Sequence, residues 1–316
     1  MIKRKALIFG LKGTTLTKAE RKILNHNTPW GIILFSRNIK NIIQLKSLIS
    51  DIRKNTKDLN YPILIDQEGG SVSRLNKIID FSFFSQKFIG ELYSRNMNLF
   101  YHYYQIYTDI VCGILRMVGI NINTVPVLDV RRKYSHKIIF TRSFSSSAAK
   151  VSKIGKISVE LYNKNKIATV VKHIPGHGLS KQDSHFKLPI VNLKKKLLIK
   201  KDFLPFKNTK SLFAMTAHVV YSSYDSLNAA THSKIIINKV IRKHIGFKGI
   251  IISDDISMKA LKHGLIKNAT KALDAGCNLI LHCNGNIKEM RELIKFIPTI
   301  DRFTQKKTSL FYNFLR

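Results

Sequence analysis

Cysteine is scarce in this 316-residue chain, which has only Cys112, Cys277 and Cys283. Three are too few for a disulfide framework, and they lack zinc-ribbon spacing. Cys277 and Cys283 flank the apolar run NLILH, so buried free thiols in a reducing compartment are expected. Long hydrophobic runs are missing too. None reaches the roughly eighteen residues of a membrane-spanning helix. The opening MIKRKALIFGLKG is basic and then apolar. Its apolar run is short, however, and no small-residue cleavage site follows, so it reads as a first strand and not a signal peptide. A cytoplasmic protein is expected. There is no linker, low-complexity tract or internal repeat to divide residues 1–316, so one domain is expected, with a tail of unassigned role from about residue 299.

Acidic residues are few as well: 19, against 54 lysines and arginines, for a formal net charge of +35. Such a charge attracts polyanions non-specifically. Yet the lysines are spread over almost every segment, and the densest run, LKKKLLIKK, has the look of one solvated helical face. Lys, Ile, Asn, Phe and Tyr all have A+T-rich codons, so mutational bias accounts for the skew. No helix-turn-helix, zinc-finger or RNP signature is present. Neither a dedicated nucleic-acid partner nor a membrane partner is expected, and the chain reads as a monomer acting on a small molecule.

The chain does contain a regular alternation. Apolar runs occur at ALIFG (6–10), GIILF (31–35), PILID (62–66), NINTVPVLDV (121–130), ATVVKH (168–173), SLFAMTAH (211–218), KGIIISD (248–254) and NLILHC (278–283). Helix-like stretches such as NIIQLKSLISDIRK and YHYYQIYTDIVCGILRMV lie between them. Apolar strands followed by amphipathic helices indicate a parallel sheet covered on both faces. Eight such strands close an α/β (β/α)8 TIM barrel; an open doubly wound sheet is the alternative.

Polar residues cluster where these strands end. PILID ends at Asp66, ATVVKH at Lys172 and His173, SLFAMTAH at His218, and KGIIISD at Asp254 beside Asp255. In a barrel, the C-terminal strand ends form the active-site face. The stretch KHIPGHGLSKQDSH holds the densest chemistry. His173 and His177 have the four-residue spacing of a zinc-protease helix, but Pro175, Gly176 and Gly178 preclude a helix there. Asp183 and His185 are two apart, so an extended segment points both the same way. The aspartate then orients an imidazole for proton transfer; an Asx turn with an exposed histidine fits the spacing equally well. Asp254 or Asp255 offers a nucleophile, or both cap the next helix. Asp66 with Arg74, and Arg142 separately, are placed to grip a polar ligand. A metal-dependent hydrolase and a basic nucleic-acid-binding protein are the competing classes.

GIILFSRN, IDQEGGSVSR, PVLDV, TRSF, KHIPGHG with DSHFKLP, MTAHVVY and GFKGIIISDDISM appear in that order. The series resembles bacterial β-N-acetylhexosaminidases of glycoside hydrolase family 3, from about residue 10 to about 284. The resemblance implies a (β/α)8 barrel that releases N-acetylglucosamine with retention, without metal or organic cofactor. It implies Asp254 as nucleophile and His185 as proton donor and acceptor, assisted by Asp183 on a mobile, glycine-hinged loop. It assigns sugar binding to Asp66, Arg74, Arg142, Lys172 and His173, and a muropeptide as substrate. Three positions depart from the family pattern: Ile174 replaces Phe, Asn121 replaces Asp, and Thr141 replaces an acid. The last is expected to loosen the support of Arg142. His177 is left without a role.

Overall fold

The computed structural model describes residues 4–132, 140–180 and 188–316. In chain order the strands are β1 (Lys5–Gly10), β2 (Pro29–Leu34), β3 (Ile63–Ile65), β4 (Ile122–Asn123) and β5 (Ala168–Ile174). They continue with β6 (Ile190–Val191), β7 (Phe213–Thr216), β8 (Val220–Tyr221), β9 (Ile250–Ile252) and β10 (Ile280–His282). Eight pair in the order β10-β1-β2-β3-β4-β5-β7-β9, and every pairing is parallel. A parallel bridge between Ile252 and Leu279 joins β9 to β10 and closes the barrel. Closure excludes the open sheet, because no free edge remains between those two strands. All eight expected strands are present, and they are buried almost throughout.

Two local differences have simple causes. The run 121–130 is a strand only over β4, because Pro126 has no N–H with which to continue the ladder. Pairing to β5 then resumes at Val127, opposite Lys172. The small parallel pair β6–β8 lies outside the barrel; its two-residue strands are too short to show a period in sequence.

The helices are α1 (Lys18–His26), α2 (Ile42–Thr56), α3 (Gln86–Arg95), α4 (Met97–Val118) and α5 (Ala148–Lys164). A π-helical segment, Ile236–Ile245, is followed by α6 (Leu265–Ala275), α7 (Ile287–Phe296) and α8 (Arg302–Leu315). Most begin at a side-chain cap: Thr17 and Glu20 form a reciprocal box, and Asn41, Ser85, Asn96, Ser147 and Asp301 cap singly. Each cap satisfies an N–H that the helix itself leaves open.

The tail is not loose. Helix α8 lies across the N-terminal ends of the strands. Thr308 accepts a hydrogen bond from the Trp30 indole at 2.8 Å, and Phe311 packs against both Trp30 and Phe213. Tyr312 donates to Asp58 at 2.6 Å, and Asp58 also pairs with the buried Arg4 that precedes β1. The helix is the floor of the barrel. The opposite, C-terminal end of the strands is the mouth.

Candidate active site

A ladder of alternating charge lines that mouth. Asp66 leaves β3 and takes a hydrogen bond from Thr124 at 2.5 Å, an ion pair from Arg74 at 2.8 Å and another from Lys172. Lys172, near the end of β5, reaches on to Glu68 at 2.6 Å. Glu68 in turn takes both nitrogens of the Arg142 fork, at 2.7 and 2.8 Å. Burial alone would raise the Asp66 carboxyl, but Lys172, Arg74 and Arg142 outweigh it and hold it far below the ordinary carboxylate range. Glu68 is likewise held low, with Arg142 the largest opposing influence against burial. Burial would lower the Arg142 guanidinium; Glu68 raises it instead. The Asp66 and Glu68 carboxylates and the Arg142 guanidinium are therefore charged at neutral pH.

Sequence reasoning missed Glu68. It stands two residues after Asp66 inside QEGG, beyond the apolar run that marks β3. Glu68 supports Arg142 through both nitrogens of its fork. The Thr141 hydroxyl lies 3.5 Å from that of Ser71, and its carbonyl accepts from the Lys87 N–H. Asp129 was missed as well, although PVLDV places an acid beyond β4 in the same way that PILID places Asp66 beyond β3. Its Oδ2 lies 2.6 Å from His173 Nδ1, and its Oδ1 accepts the His177 N–H at 2.7 Å. One buried carboxylate thus orients the His173 ring and anchors the loop that follows.

That loop is tighter than its glycines implied. A Cβ on Gly176 would sit 2.7 Å from Cγ of the buried Asp202, and one on Gly178 would overlap the Val130 carbonyl. These glycines permit close backbone approach. His177 packs edge-on to His173, ring centroids 5.8 Å apart, and among the described residues neither ring nitrogen has a hydrogen-bond partner.

Burial lowers the His177 imidazole to about 4, although Asp129 and Asp254 pull the other way. The unfolded chain takes up that proton near 6.5. Stability from a neutral His177 is thus fully present above about pH 6.5 and is lost as pH falls toward about 4. The loss is about 3 kcal/mol. Urea unfolding of wild type and His177→Asn at neutral and mildly acid pH checks this, and the variant should lose less stability on acidification.

Past β9, the two aspartates have different partners. The Asp255 carboxylate accepts from the Ser257 N–H and hydroxyl at 3.1 and 2.8 Å and from the Cys283 N–H at 3.3 Å. It is occupied in shaping the turn. Asp254 accepts its neighbour's N–H at 2.8 Å, and its own N–H points to Thr216 at 3.3 Å. His218, at the end of β7, is held by Thr231 at 2.8 Å and by the Asp255 carbonyl at 3.0 Å. It braces the same turn. The structure thus brings together Asp66, Arg74, Arg142, Lys172, His173 and Asp254. Asp183 and His185 lie outside the described residues. Among the described residues, no group of three or more His, Cys, Asp or Glu is arranged to hold a metal ion.

Comparison with known proteins agrees with this geometry. Residues 4–308 match the glycosyl hydrolase family 3 N-terminal domain. A beta-hexosaminidase of Nitrosomonas eutropha is 32% identical over 286 residues, covering 88% of this chain and 80% of the relative. One from Actinobacillus pleuropneumoniae is 31% identical over 303 residues, covering 93% and 86%. Among solved structures, NagZ from Neisseria gonorrhoeae in complex with N-trifluoroacetyl-D-glucosamine superposes with a TM-score of 0.87. It is 28% identical, and the match covers 98% of this chain and 90% of that one. With its closed barrel and charged mouth, this chain is a glycoside hydrolase and belongs to glycosyl hydrolase family 3.

Proposed function

We propose that the chain is a retaining, exo-acting β-N-acetylhexosaminidase. Its substrate would be a muropeptide carrying terminal N-acetylglucosamine on 1,6-anhydro-N-acetylmuramic acid, processed in the cytoplasm during cell-wall recycling. The observation that carries this reading is the placement of Asp254 at the mouth that also holds the Asp66–Lys172–Glu68–Arg142 ladder. A cavity lined by fixed charges and forked donors suits a ligand rich in hydroxyl and amide groups. The beta-hexosaminidase relatives and the gonococcal enzyme with its glucosamine ligand support the same substrate class.

In the proposed mechanism, the Asp254 carboxylate attacks the anomeric carbon. The glycosidic C–O bond breaks as the ester bond to Asp254 forms, and His185 passes its proton to the departing oxygen. His185 then takes a proton from water, whose oxygen attacks the same carbon and releases Asp254. Retaining enzymes commonly use two carboxyl groups for these roles. An imidazole with an ordinary value near 6.5 serves as both acid and base at neutral pH, and Asp183 favours its protonated form.

Hydrolysis of a chromogenic N-acetyl-β-glucosaminide, unchanged by EDTA and followed by turnover of a muropeptide, is the expected result. Activity abolished by EDTA would restore the metal-dependent class. Tight, salt-sensitive RNA binding without hydrolysis would restore the nucleic-acid class. Arg142→Ala removes charge-assisted hydrogen bonds worth about 1.5–3 kcal/mol each. It should therefore lower kcat/KM by at least tenfold; unchanged kinetics in a folded variant would remove Arg142 from sugar binding.

A further inference from the structure

Helix α4 is apolar on two faces. Its inner face, with Phe100, Tyr104, Val111 and Leu115, is buried against the barrel. A helix apolar all round is ordinarily buried all round. Here the outer face carries Leu99, Tyr103, Ile106, Ile110 and Met117, each between 43 and 55% exposed. Their spacing of four, three, four and seven residues draws one continuous stripe along the helix. Gly113 falls in the gap of seven, and nothing lies within 4 Å of where its Cβ would be. In 22 residues the helix has one acid, Asp109, and one arginine, Arg116, although the whole chain carries +35.

The stripe runs into a basic groove. Where the C-terminal ends of α2 and α4 meet, Lys46, Arg53, Lys54, Lys57 and Arg116 line a cleft of about 790 Å³, together with Met117 and the exposed Leu59. This end of the helices is the floor side of the barrel, where Asp58 meets Arg4. The groove is therefore at the end of the barrel opposite the mouth.

We propose that the outer face of α4 and its basic groove dock on the surface of an anionic phospholipid bilayer. The stripe would sit among the headgroups while the lysines and arginines meet lipid phosphates. Tyrosines in the stripe suit that boundary, with an apolar ring and a polar tip. The helix lies on such a surface and does not cross it: among the described residues no helix is long and apolar enough to span. This departs from the expectation of no membrane partner. A second copy fits less well. Two chains of +35 repel each other, and a seam of one helix about 27 Å long is narrow for the roughly 800 Å² per partner of a stable interface.

The net charge alone would draw the chain to any anionic vesicle, so the test must separate the patch from the charge. The full chain is co-sedimented with phosphatidylglycerol–phosphatidylcholine vesicles and with phosphatidylcholine vesicles at physiological salt. Binding only to the former is expected. Ile106→Asn/Ile110→Asn leaves the charge unchanged and should weaken binding about tenfold or more. Lys54→Gln/Lys57→Gln should weaken it by a similar factor. Lys239→Gln/Lys267→Gln removes the same charge from the helical segments flanking β9, across the barrel, and should change it less than twofold. Hydrolysis of the soluble chromogenic substrate should be equal in all four proteins. Tyr103→Ser/Met117→Gln replaces the isoleucine pair if that variant fails to fold. Equal losses in the two lysine pairs, or no loss in the apolar pair, would sink the proposal. A dimer in sedimentation that the apolar substitutions dissolve would give the face to a second copy instead.

Discussion

Asp254→Ala is expected to lower kcat by more than about a thousandfold, because no glycosyl-enzyme forms without the carboxylate. Asp255→Ala should keep measurable turnover, since that carboxylate is taken up by Ser257 and the Cys283 N–H. A dead Asp255→Ala beside an active Asp254→Ala would reverse the two assignments. His185→Ala separates the two steps. An activated aryl glycoside needs little protonation to depart, so the remaining defect should lie in hydrolysis of the intermediate. Azide, which needs no deprotonation, should then restore part of the turnover. Asp183→Asn should behave as a milder form of the same variant. A His185→Ala protein as active as wild type on a poor leaving group would end the dyad reading.

The second large effect is expected at Glu68. It is almost fully buried and is the shared partner of Arg142 and Lys172. Glu68→Ala leaves two buried cations without the carboxylate they share. Removing one partner of a buried ion pair costs about 3–5 kcal/mol, so a clear drop in the denaturant midpoint should accompany a rise in KM. A double variant, Glu68→Ala/Arg142→Ala, should be less destabilised than the two single effects added together, because the second change removes one stranded charge. Strict additivity would mean that Glu68 and Arg142 do not support each other.

The barrel was legible because each strand is covered on both faces and so appears as an unbroken apolar run, ILI in β3 or III in β9. Most of the mouth was legible for a related reason. A polar residue ending such a run has only the open end of the barrel to face, as Asp66, Lys172, His218 and Asp254 do. Glu68 and Asp129 escaped because their roles depend on partners 74 and 44 residues away in sequence, and no local pattern announces such a pairing. The role of α8 escaped for the same reason. Phe311 is one apolar residue among several in the tail, and only the folded barrel shows that Trp30 and Phe213 wait for it. The close packing at the glycines of KHIPGHG was not legible either, because freedom and close approach favour the same residue.

The floor can be completed only late in synthesis. Strand β1 pairs on one side with β10, Leu7 lying opposite Ile280, and Trp30 finds Thr308 and Phe311 later still. At about 5–20 residues per second, a ribosome needs tens of seconds to go from the first of these partners to the last. Throughout that interval the nascent chain presents one unpaired β1 edge and an uncovered tryptophan. Such an edge is a template for pairing with other chains, so the growing protein is most exposed to aggregation, and to capture by chaperones, until its final helix leaves the exit tunnel.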